Sequence, residues 1–93
     1  MIFDLLRELE ITLSDITFTG INNIDYNVID KLNLLSKNFE KIAMNHLKDL
    51  LIEFIESIKN YKTNNKDKKN TLKIVSNNIS KIEFYLKNAL SFE

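Results

Sequence analysis

The sequence predicts an all-α fold, a small antiparallel four-helix bundle forming one domain over residues 1–93. The first observation is the scarcity of helix breakers, with one glycine and no proline in 93 residues. The second is the recurrence of apolar residues at three- and four-residue spacing along almost the whole chain. The third is composition: 44% apolar and 28% charged residues suit a packed core under a charged surface. At this length a domain can fold without disulfides or metals only if the core is efficient. Cysteine is absent, so disulfides contribute nothing.

Ile2, Leu5, Leu6, Leu9, Leu13 and Ile16 share one face of a helical wheel, which places a first helix over Ile2 to Thr17. Asp4, Glu8 and Glu10 in its early turns suit the positive end of the helix dipole. Gly20 is expected to stop it in a left-handed conformation, with Asn22 and Asn23 continuing the turn. Asp25 then caps a second helix with the stripe Val28, Ile29, Leu32, Leu35, Phe39 and Ile42.

A third stripe, Leu47, Leu50, Leu51, Phe54, Ile58 and Tyr61, follows in nearly the same phase. The alternative fold is therefore three helices with one long continuous central helix. Such a helix from Tyr26 to Tyr61 would run about 54 Å, too long for a compact domain of this size. A break at Ala43 to Asn45 is expected instead, with Asn45 as cap. Residues Lys62 to Asn70 have no apolar member and read as a loop, after which Asn70 or Thr71 caps a last helix carrying Leu72, Val75, Ile79, Ile82, Leu86, Ala89 and Leu90.

This inventory removes most recognisable chemistry. Phosphate loops need several glycines and structural zinc needs cysteines, while His46 is the only histidine. His46, Asp49 and Glu53 share a helical strip, but that strip lies opposite the apolar stripe and has no second imidazole, so it reads as a solvated polar face. No catalytic, cofactor-binding or metal-binding residue is assigned, and a non-enzyme is expected. No apolar run reaches the ~20 residues of a membrane span, and Met1-Ile2-Phe3-Asp4 lacks a secretion signal's basic start, which makes a cytoplasmic setting the expectation.

Charge is balanced overall but unevenly spread. Residues 1–30 carry six acids against Arg7, a net −5, and the rest carry twelve lysines against seven acids, a net +5. Complementarity between helices is the expected reason, with an electrostatic partner site as the alternative. The Lys62 to Lys69 loop, through Lys62, Lys66, Lys68 and Lys69, offers weak phosphate contacts; with one arginine and no aromatics inside the run, it lacks a device for reading bases.

Large apolar residues off the stripes carry more information: Phe3, Ile11 and Phe18 on the first helix, Ile52 and Ile55 on the third, and Phe84 on the last. Phe3, Phe18, Ile52, Ile55 and Phe84 form the candidate interaction surface, for a protein partner or a homo-oligomer.

One stretch adds a resemblance. Phe18-Thr19-Gly20-Ile21, Ile24, Val28-Ile29, Leu32, Leu35, the small-residue break Ala43-Met44, Leu47 and Leu50-Leu51 resemble a helical segment associated with bacterial SWIM zinc-finger proteins. The likeness runs from about Leu5 to Leu90, with Ala43 standing where the pattern has glycine and without the zinc finger's cysteines and histidines. It implies an accessory helical module and transfers no catalytic or metal residues. The expected function is thus a non-enzymatic protein–protein interaction module. The alternatives are a small nucleic-acid-associated protein using the lysine loop, or a bacteriocin-immunity-like helical bundle, suggested by size and helicity.

Overall fold

The computed structural model describes residues 2–92. Four helices account for most of them: α1 (Ile2–Thr19), α2 (Tyr26–Lys41), α3 (Asn45–Thr63) and α4 (Lys68–Leu90), with a single 3-10 turn at Ile21–Asn23. The all-α bundle inferred from periodicity is the fold observed. Each helix packs against its sequence neighbours, and α4 returns to close on α1, so the helices form a ring in the order α1-α2-α3-α4. The directions alternate. Glu10 and Leu90 lie together at one end of the α1/α4 seam, whereas Gly20 and Ser76 lie together at the other.

The three turns have different physical origins. Gly20 ends α1 at φ 95° and ψ 145°, an extended positive-φ conformation rather than the expected left-handed helical one, and equally reserved for glycine. Asp25 caps α2 as expected, its carboxylate accepting from the Val28 amide at 3.1 Å.

The break between α2 and α3 falls at Ile42 to Met44, which excludes the long continuous helix. It is a Schellman closure: the Ala43 amide donates to the Glu40 carbonyl at 3.0 Å and the Met44 amide to the Phe39 carbonyl at 2.9 Å. Ala43 takes the left-handed position at φ 62°. Asn45 does not cap α3; Met44 occupies that position without a side-chain bond, and Asn45 is the first helical residue.

The lysine-rich loop is shorter than expected, four residues rather than nine. A helix needs no apolar residue to continue, and α3 runs through Lys62 and Thr63 while α4 begins at Lys68. Asp67 caps α4 in place of Asn70 or Thr71, accepting from the Asn70 amide at 3.3 Å. Asn64 folds the link by accepting from the Lys66 and Asp67 amides.

The core joins all four helices. Leu9, Leu32, Phe39, Leu47, Leu51, Phe54, Val75 and Ile82 are fully enclosed, and the expected core positions Leu35, Ile79 and Leu86 are buried with them. Buried hydroxyls avoid a desolvation penalty by donating within their own helices, Thr12 to the Glu8 carbonyl and Ser57 to the Phe54 carbonyl, for example. Lys48 on α3 bonds Glu40 on α2 and its own neighbour Asp49, each at 3.4 Å. These hydrogen bonds, first to Glu40 and then to Asp49, raise the Lys48 pKa above its ordinary value. No helix among the described residues is long and apolar enough to cross a membrane.

Candidate protein interface

α3 is sandwiched between α2 and α4, so it buries a broad arc of its circumference. That arc includes Ile55, which is 2% exposed and belongs to the core rather than to a contact surface. It stands about 80° round the helix from Leu47 on the side turned to α2, and the second neighbour that covers it is not visible in a single helix's periodicity. Phe3 is likewise half-buried, packed against the core from the first turn of α1.

The remaining sequence candidates are open but do not form one patch. Phe18 is 92% exposed at the end of α1, Ile52 is 43% exposed on α3, and Phe84 is 70% exposed on α4. Ile52 borders a shallow hollow of about 660 Å³ with Glu56, Ile74 and Asn78, and Phe84 stands in a more aromatic one. Phe84 lines a groove of about 690 Å³ between the outer faces of α3 and α4, together with His46, Leu50 and Glu53 from α3 and Lys81, Tyr85 and Phe92 from the α4 side.

The groove follows from local sequence. On α3 the residues flanking the buried stripe are His46, Leu50 and Glu53 at four- and three-residue steps, which keeps them on the side turned toward α4. On α4, Lys81, Phe84 and Asn88 recur at i, i+3 and i+7, and Phe92 follows just past the helix end. His46 and Tyr85 meet across the seam, ring centroids 5.7 Å apart and planes inclined by 48°. The floor is therefore apolar and aromatic, with Glu53 on one wall and Lys81 on the other. Neither is ion-paired among the described residues.

The two helices differ in charge on this face. Exposed Asp49, Glu53 and Glu56 make an acidic ridge along α3, Asp49 with Lys48 as its ion-pair partner, whereas α4 brings the exposed Lys81 to the groove. His46, Asp49 and Glu53 do share the solvent side of α3, but no group of three metal-ligating side chains converges among the described residues. His46 engages Tyr85 instead.

The four lysines proposed for phosphate contact are split by the fold. Lys62 lies on the last turn of α3 with its ammonium 5.7 Å from the Tyr26 ring centroid. Lys68, on the first turn of α4, sits 4.5 Å over the Tyr61 ring and donates to the Tyr61 carbonyl. Lys66 in the link and Lys69 on α4 are exposed.

Sequence reasoning missed Phe92, which is 85% exposed, and the part played by Lys81 and Tyr85. A usable signal was present in the seven-residue interval from Tyr85 to Phe92, which returns an aromatic to within about 20° of the same side after two turns. Comparison of this chain with protein-family models, with curated proteins and with solved structures found no match.

Proposed function

We propose that this chain is a cytoplasmic, non-catalytic helical module that binds another polypeptide through the outer face of α3 and α4. One observation carries the reading: Phe84 and Phe92 stand largely exposed around a groove floored by Leu50 and Tyr85, with none of the described elements over it. Exposed aromatics on a concave apolar floor are the composition of interface centres, where Tyr and Phe are enriched and charge is displaced to the rim. Glu53 and Lys81 supply such a rim. The resemblance to an accessory helical segment agrees with a binding role.

A photo-crosslinking amino acid at position 84, compared with one at exposed Lys37 on α2, tests this in the native host. Covalent adducts are expected from position 84 and not from position 37. Equal labelling from both positions, or none from 84, would refute the assignment.

A further inference from the structure

We infer that the occupant of the α3/α4 face is a second copy of this chain, docked about a two-fold axis that runs parallel to the helices. This rests on the reading of that face as a binding surface and adds the identity and orientation of its partner. The argument is charge complementarity of the face with itself. Two copies meeting face to face have two ways to obey a two-fold axis in the plane of contact. An axis perpendicular to the helices lays α3 on α3, which stacks the ridge of Asp49, Glu53 and Glu56 on its own duplicate. That arrangement is repulsive. An axis parallel to the helices lays α3 on the partner's α4, so the acidic ridge meets the helix that carries Lys81 twice. α3 and α4 run antiparallel and His46 meets Tyr85, so Glu53, seven residues on, and Lys81, four residues back, stand within about one helical turn of the same height, which brings Glu53 near the partner's Lys81, and Lys81 near the partner's Glu53. Phe84 and Phe92, on the α4 side of the groove, then lie beside the axis, where each meets its own counterpart and is removed from water.

The size of the face fits. The bundle measures 42 × 22 × 20 Å. Helices of 19 and 23 residues packed side by side offer a face of roughly 30 by 20 Å, about 600 Å², close to the ~800 Å² per partner of a standard stable interface.

The experiment is sedimentation of the wild type and of two charge reversals, Glu53→Lys and Lys81→Glu, with circular dichroism as the folding control. A wild-type dimer is expected, with each single reversal raising its dissociation constant about tenfold or more, because each turns two symmetric attractions into two repulsions. Mixing the two reversed variants should restore a dimer that contains one of each, since every contact between positions 53 and 81 is then of opposite sign. A purely intrachain role for Glu53 and Lys81 cannot produce that rescue. A wild type that stays monomeric at millimolar concentration, reversals that leave the dimer unchanged, or a mixture that fails to associate would each overturn the inference.

The crosslinker at position 84 separates this inference from the reading beneath it. An adduct of twice the chain mass supports the second copy. An adduct with a different protein, from a chain that sediments as a monomer, overturns the dimer and leaves the binding face standing. No adduct overturns both.

Discussion

The Tyr61 hydroxyl donates a hydrogen bond to the Asn22 side-chain oxygen, tying the last turn of α3 to the link between α1 and α2 across 39 residues of sequence. The same ring is covered on one face by the Lys68 ammonium. Tyr61→Phe keeps the ring and removes only the hydroxyl. It should cost about 0.5–1 kcal/mol, the net worth of a neutral hydrogen bond near solvent. Urea titration of Tyr61→Phe, Asn22→Ala and the double variant checks the pairing, because the double variant should lose little more than either single one.

Leu35 and Ile79 are core residues on α2 and α4, and truncation of either leaves a cavity that neighbouring helices cannot close. Leu35→Ala and Ile79→Ala should each destabilise the fold by about 2–5 kcal/mol. For a domain this small that is a large part of the total stability. Thermal melts followed by circular dichroism read the loss; an unchanged midpoint in both variants would contradict the packing.

Ala43 holds a left-handed backbone conformation at φ 62° while its amide and that of Met44 close the end of α2. An L-residue is strained there by ~1–2 kcal/mol, and glycine is not. Ala43→Gly relieves that strain at the cost of about 0.5–1 kcal/mol of unfolded-chain freedom. The expected outcome is a net gain in stability of up to about 1 kcal/mol, seen as a higher urea midpoint with the same slope. A lower midpoint would mean that the closure is not the relaxed state of this turn.

The lysines around the α3/α4 link should bind nucleic acid weakly and without sequence preference. Lys62 and Lys68 are engaged with aromatic rings of their own chain, which leaves Lys66 and Lys69 as the open cations of that set. Two phosphate contacts give a shallow, salt-sensitive isotherm. Titration of labelled DNA and RNA at two salt concentrations checks this. Tight binding that survives high salt, lost in a Lys66→Ala/Lys69→Ala variant, would move the function to that end of the bundle.

Periodicity was enough to place all four helices and the core positions Leu9, Leu32, Leu47, Phe54 and Leu86, because a helix facing one core repeats its apolar residues every three to four positions. Gly20 and Asp25 were legible for a local reason, since a positive-φ turn and a carboxylate cap are each written in one residue. Ile55 was misassigned because its burial depends on α2, a neighbour that single-helix reasoning cannot see. The link before α4 came out too long because polarity was taken for irregular backbone, whereas Asp67 sets the helix start by accepting the Asn70 amide. For the groove, the sequence marked Phe84 but not its company. His46, Tyr85 and Phe92 come together only through the antiparallel register of α3 and α4, a relation between segments some forty residues apart in the chain.

The ring order of the helices also bears on how the chain is made. α2, α3 and α4 each dock on the helix before them through a short link, at small loop-closure cost. The seam between α1 and α4 instead joins the first helix of the bundle to the fourth. As the polypeptide leaves the ribosome, α1 can rest on α2 early, but Leu13 and Ile16 gain their neighbours Leu86 and Ile79 only when α4 emerges. Until α4 is made the nascent bundle carries an apolar strip along α1 that its other helices leave uncovered, and completion of α4 is the step that withdraws it from passing chains.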